Sequence, residues 1–218
     1  AYLKPWLDLK HRRMTITAPG MPDISIDLDA ESKYDPSQNS GNVVRVCGTK
    51  CGAMLWGSLE VSDWLTTFMG VPCWLARHAN TKRTRAFANE QPILLISQNA
   101  VDALNEVLAE RGQQRVGCQH FRPNLVVTMK SSGTTKQHVE DGWKQIENVS
   151  GASFEVVGPC ARCSMVDVDP TSGIKNSLTL SALADYRRHR GQITFGIFLR
   201  GRSAQAVVLK KGDSLFCK

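Results

Sequence analysis

Two cysteines flank an arginine in Gly158-Pro159-Cys160-Ala161-Arg162-Cys163. Thiolates are soft metal ligands and sulfur nucleophiles, and an adjacent guanidinium favours the thiolate and attracts anions. Three readings follow. Cys160 and Cys163 form half of a zinc site completed by Cys47 and Cys51, themselves spaced Cys-x3-Cys. Or one of them is a reactive or metal-ligating cysteine. Or both are small buried packing residues. A regular strand from Cys163 to Val168 would put Cys163, Met165, Asp167 and Asp169 on one face, two carboxylates near a thiol. For Asp169 the favoured role is to cap the turn Asp169-Pro170-Thr171-Ser172-Gly173.

Phe121-Arg122-Pro123-Asn124 is the next candidate, just before a strand. Arg122 can make bidentate bonds to a phosphate or a heterocycle edge, and Asn124 can donate and accept. Asn89, Glu90 and Gln91 hold a similar place before another strand, where loops commonly line pockets. The polar stretch 131–138 reads as a further loop. G-x-S-x-G, H-E-x-x-H, Walker A and G-x-G-x-x-G motifs are absent. The five histidines lack ligand spacing and read as surface or loop residues. The basic run Tyr186–Arg190 reads as a solvated face.

The elements that must carry these residues are mostly short strands. Met14–Thr17 and Ile24–Leu28 alternate apolar and polar around a Pro-Gly loop, as a hairpin does. Strands are also expected over 42–47, 74–77, 92–97, 125–129, 154–157, 163–168, 193–199, 206–209 and 214–217. Helical spacing marks a segment capped by Ser58 and stopped by Gly70, a second over 98–111, and a basic one over 181–190. The fold class expected is therefore mainly β with interspersed helices (α+β), barrel-like. The polar, basic stretch 79–85 is the natural boundary between regions 1–80 and 81–218.

Bulk properties narrow the function. The chain has 218 residues, 42% hydrophobic and 22% charged, which suits a globular protein. No apolar run approaches the roughly 20 residues needed to span a bilayer, so no membrane role is expected. Seven cysteines, without a secretory signal, suit a reducing, cytoplasmic setting. The net charge of +7 suits an acidic partner. No zinc-finger, RNP or helix-turn-helix pattern accompanies it, so a small phosphate-bearing ligand is favoured over nucleic acid. The start at Ala1, inside patterned sequence, reads as a fragment or processed product.

Taken in order, these segments resemble the C-terminal, MOSC-type region of eukaryotic molybdenum cofactor sulfurases. The matching residues are Pro5-Trp6-Leu7-Asp8-Leu9, Gly20-Met21-Pro22, Arg45-Val46-Cys47-Gly48 and Trp64-Leu65-x-x-Phe68-x-Gly70-x-Pro72-Cys73. They continue through Asn89-Glu90, Phe121-Arg122-Pro123-Asn124, the Cys-x-Arg-Cys segment, Asp169-Pro170-x-x-Gly173, Phe195-Gly196 and Gly212-Asp213. Each piece is weak alone, and the ordered set, covering nearly the whole chain, is specific. Mitochondrial amidoxime-reducing proteins share much of it.

The resemblance implies a MOSC-type β-barrel preceded by a partial N-terminal MOSC-associated β subdomain. It implies binding of the molybdenum cofactor, a pterin dithiolene with an anionic phosphate. Cys163 matches the metal-facing cysteine, and Ala161 and Arg162 line the same loop. Arg122 and Asn124 match pterin or phosphate contacts, and Asn89, Glu90, Gln91 and Phe198 match further pocket positions. The implied role is to seat the cofactor while persulfide sulfur is transferred to molybdenum. The implied partners are the desulfurase region of the full-length protein and client hydroxylase-type molybdenum enzymes. The family's upstream Lys-Ser strand and its pyridoxal-phosphate desulfurase region have no counterpart here. The chain is therefore expected to act as part of a sulfurtransferase, unable to draw sulfur from free cysteine. The alternatives are a molybdenum-dependent reductase of N-hydroxylated compounds and a zinc-stabilised interaction domain.

Overall fold

The computed structural model describes residues 2–30, 43–46, 49–78, 91–129, 137–202 and 207–218. The chain divides into two compact units, Ala1–Asn89 and Glu90–Lys218. In the first, β1 (Lys4–Asp8), β2 (Arg13–Thr17) and β3 (Ile24–Asp27) form an antiparallel sheet. β4 (Val43–Val46), β5 (Thr49–Leu55) and β6 (Ala76–His78) form another. Period-two alternation turns Ile24 and Ile26 of β3 to one face, where they join Ile16. That face packs on Val61, Trp64 and Leu65 of α1 (Leu59–Met69). The Ser58 hydroxyl caps α1 by accepting from Val61 N, and Gly70 ends it in the left-handed conformation at φ 70°.

The second unit is built on a seven-stranded sheet. Its strands are β7 (Ile93–Ser97), β8 (Leu125–Val127), β9 (Gln145–Asn148), β10 (Ser153–Ala161), β11 (Arg188–His189), β12 (Gln192–Gly201) and β13 (Leu215–Cys217). The order is β13-β9-β10-β12-β7-β8, with β11 also paired to β12. β7 and β8 are parallel, and the intervening α2 (Gln98–Glu110) supplies the crossover such a pair requires. Alternation along β7 sends Leu94 and Ile96 to a core shared with α2 and α3 (Thr179–Tyr186). Leu95 instead faces Ile146, Ile197 and Leu199 in a second core on the opposite side of the sheet. Ser97, the last residue of β7, also caps α2: its hydroxyl accepts from Ala100 N and donates to Glu140 Oε2 at 2.8 Å. The expected mainly β, α+β class is therefore correct.

Four expectations are corrected. Residues 163–168 are not a strand: Ser164–Asp167 form a 3-10 turn, with Cys163 extended before it. Asp167 and Asp169 therefore do not lie beside the thiol on a shared strand face. The Asp167 carboxylate accepts from Leu180 N at 2.8 Å, where the first turn of α3 has unpaired donors. The strand expected at 154–157 runs on to Ala161, because bulges after Val156 and Pro159 accommodate Gly-Pro within the pairing. The basic helix over 181–190 stops at Tyr186, and Arg190 and Gly191, both at positive φ, turn β11 back onto β12. Finally, Val207–Lys210 form no strand. The connector 35–41, Cys47, the boundary stretch 79–85 and the loop positions 131–136 lie outside the described residues. Among the described residues no helix is long and apolar enough to cross a membrane.

Candidate functional site

The structure brings the Cys-x-Arg-Cys loop and the Phe-Arg-Pro-Asn segment together through Arg162. Its Nη1 donates to Cys160 Sγ at 3.0 Å, and its Nη2 donates to the Phe121 carbonyl at 3.0 Å. The guanidinium lies 5.4 Å from the centre of the Phe121 ring, within cation–π range. Phe121 in turn stacks on Phe195 of β12, ring centres 4.2 Å apart. The Arg162 main-chain N–H bonds Ile193 O, so the loop is tied to β12 as well. Its Nε is buried and has no hydrogen-bond partner.

The two thiols are therefore unlike. Cys160 is 5% exposed, part of the apolar core, and receives Arg162. Cys163 is an exposed free thiol one residue beyond the clamp. Arg122 follows Phe121 directly, exposed and held left-handed (φ 54°, ψ 48°) at the end of a 3-10 turn, Cys118–Phe121. That conformation is uncommon for a non-glycine residue and aims the chain sharply into β8. The turn is itself set by Asn105 of α2, whose side-chain amide both donates to Val116 O and accepts from Val116 N.

Other sequence-derived candidates serve the frame. Asn124 Oδ1 accepts from Leu94 N at 2.8 Å while Asn124 N bonds Leu94 O. Leu94 pairs with Phe198, and Phe198 with Gly158, so one rung crosses from Asn124 to the strand that leads into Cys163. Phe198 is 9% exposed within the helix-side core. Ala161, half-buried, ends β10, and Gln91, half-buried, precedes β7. Asn89 and Glu90 lie outside the described residues. So do Cys47 and the Cys51 side chain, and with them the four-cysteine arrangement. Among the described residues no three His, Cys, Asp or Glu side chains converge as a metal site.

Asp169 fills the capping role expected of it. It accepts from Thr171 N, Ser172 N and the Ser172 hydroxyl, and the Ser172 bonds above all hold its carboxyl below the usual range. Two histidines depart from the surface reading. His120, with a side chain only 10% exposed, sits 3.8 Å from Asp169 and leaves Nδ1 buried without a partner. Its place beside Phe121 was the available signal. His138 packs against Tyr186 and Phe195, both ring centres 5.7 Å away.

Burial first, then the nearby Arg187 cation, pushes the His138 pKa down to about 4, with Asp141 opposing weakly. An unfolded histidine binds a proton near 6.5, so the unfolded chain protonates first. Stability is then whole above about pH 6.5 and falls as pH drops from 6.5 toward 4. After discounting for partial exposure the loss is about 1–2 kcal/mol. His138→Asn, which tolerates the left-handed backbone, should flatten this arm in denaturant midpoints measured across that range. An unchanged slope would contradict it.

Removing the clamp should be costly too. Arg162→Ala leaves the Phe121 carbonyl and a buried thiol without their donor, an expected loss of about 1–3 kcal/mol in urea denaturation. A change within about 0.5 kcal/mol, ordinary for a surface residue, would show that the clamp contributes little.

With this fold and loop arrangement, residues 82–215 match the family model described as the MOSC domain. The chain belongs to the MOSC domain family. It is similar to molybdenum cofactor sulfurases. The protein of that name from Solanum lycopersicum is 35% identical over 65% of this chain and 20% of its own length. Those from Aspergillus niger and Homo sapiens are 28% and 27% identical, over 98% and 90% of this chain and 34% and 24% of theirs. The chain thus spans about a fifth to a third of the length of these relatives.

Proposed function

We propose that this chain seats the molybdenum cofactor and acts as the sulfur-acceptor part of a molybdenum cofactor sulfurase. The observation that carries the reading is the exposed Cys163 thiol beside Arg162, on a loop clamped to the segment bearing Arg122. The donor set fits the group: a soft thiolate for the metal, an exposed arginine for phosphate, and an unpartnered buried N–H on Arg162 within the loop. The names of the relatives supply the rest.

When bound, the cofactor would supply a metal centre able to take up sulfide. The chain's own residues present it. The Arg162 clamp fixes the loop backbone, leaving Cys163 free to face the metal or to accept sulfur. As acceptor, the Cys163 thiolate attacks the outer sulfur of a donor persulfide; that sulfur–sulfur bond breaks and the donor leaves as a thiolate. The donor would be the desulfurase region of a longer protein, which holds the pyridoxal phosphate, and the recipients hydroxylase-type molybdenum enzymes in a reducing, cytoplasmic setting.

The test is to offer the purified chain the molybdenum cofactor and measure bound metal and pterin. Stoichiometric molybdenum with pterin fluorescence is expected. Zinc in place of molybdenum would sink the reading, and amidoxime reduction by the loaded chain would redirect it to the reductase alternative.

A further inference from the structure

A second concavity, wholly inside the second unit, is left unused by this reading. It is an open cleft of about 600 Å³, within the range of small-molecule sites. Gly158 and Pro159 of β10 are among its lining residues. Trp143 and Lys144 line it too, as does the corner from α3 to β11, Tyr186–His189.

Its charge is one-sided. The single lining carboxylate, Asp141, is bonded to Arg187 Nη2 at 2.7 Å, and Arg187 Nε donates to Thr194 O at 3.0 Å. Arg187 is thereby held in place and Asp141 neutralised. Lys144 and Arg188 are exposed, and among the described residues neither is in an ion pair. Two uncommitted cations suit a dianion such as a phosphate monoester better than a single carboxylate. Trp143 and Tyr186 offer aromatic surface on which a flat ring can stack.

We infer that this cleft is a second ligand site, built for a small planar heterocycle carrying a phosphate and separate from the Cys163 loop. The phosphate bonds Lys144 and Arg188, and the ring lies against Trp143 and Tyr186. The inference goes beyond the cofactor-seating role and does not need it.

Calorimetric titration of the full chain with AMP, with a pterin monophosphate and with inorganic phosphate tests it. At least one heterocyclic phosphate should bind at least about ten-fold more tightly than inorganic phosphate, and the preferred one identifies the ring. The double variant Lys144→Ala, Arg188→Ala changes only exposed side chains, so it should fold normally. It should lose at least about ten-fold in that affinity yet load molybdenum as the parent does. The inference is overturned if neither heterocyclic phosphate binds, if inorganic phosphate binds as tightly, or if the double variant binds normally. Concerted loss of heterocycle binding and molybdenum loading would also overturn it, by showing one site instead of two. Failure of the parent chain to load molybdenum would count against the cofactor reading alone, because the titration is read independently.

Discussion

Replacing Cys163 with serine is expected to reduce sulfuration of a client enzyme by more than about 100-fold, the upper end of what even a supporting residue around a metal costs. Serine keeps the size and the hydrogen bonding, but it is a hard, weakly acidic donor that cannot carry a persulfide. Because Cys163 is exposed, the folded state should be unaffected within about 0.5 kcal/mol. Cys160→Ser should do the reverse. Its Sγ is buried under the Arg162 clamp, so the main cost falls on stability, and sulfuration should persist in the fraction that folds. Assays of both variants with a persulfide donor and a client, alongside denaturation midpoints, separate the two thiols. Normal sulfuration by Cys163→Ser would refute the assignment.

Gly196→Ala should be the most damaging small change in the fold. Gly196 has φ 74°, and a Cβ there would stand 2.7 Å from the Leu95 carbonyl oxygen and 2.6 Å from Ile96 Cγ2. The carbonyl cannot retreat easily, since Leu95 is paired on both sides, with Ile197 and with Leu125. The left-handed backbone adds roughly 1–2 kcal/mol for alanine, and overpacking a further 1–3. Together that is about 2–5 kcal/mol, a large share of the roughly 5–15 that holds a domain together. Urea denaturation should show a lower midpoint with an unchanged slope. A midpoint equal to the parent's would mean the sheet centre yields more readily than its pairing indicates.

Much of this was legible in the residues. The Ser58 cap and Gly70 stop bracket α1 because capping chemistry is local. The apolar stripe over 98–111 gives α2, and alternation at 14–17 and 24–28 gives a hairpin. Failures came where tertiary contacts override local pattern. Cys163–Val168 alternates like a strand, but among the described residues only Val168 pairs, in a single bridge to Lys175; Asp167 instead satisfies α3 and the segment bends into a turn. Gly158-Pro159 reads as a strand end, yet bulges against β12 carry β10 through it. At the candidate site, residue type marked the two cysteines and Arg122, and only the resemblance chose Cys163 over Cys160. That Arg162 and Asn124 spend bonds on the frame was not, because their partners Phe121 O and Leu94 N are backbone groups that leave no mark in sequence.

The bond from Arg162 N to Ile193 O has a temporal meaning as well. A chain being made from its N-terminus completes Cys163 well before Ile193 exists, and β12 must then insert between β10 and β7 to close the sheet. Such non-local pairings form late. Until β12 arrives the loop bearing the thiol has its tie to the Phe121 carbonyl but lacks the one to Ile193. The exposed Cys163 thiol thus reaches its fixed setting only once the sheet is complete.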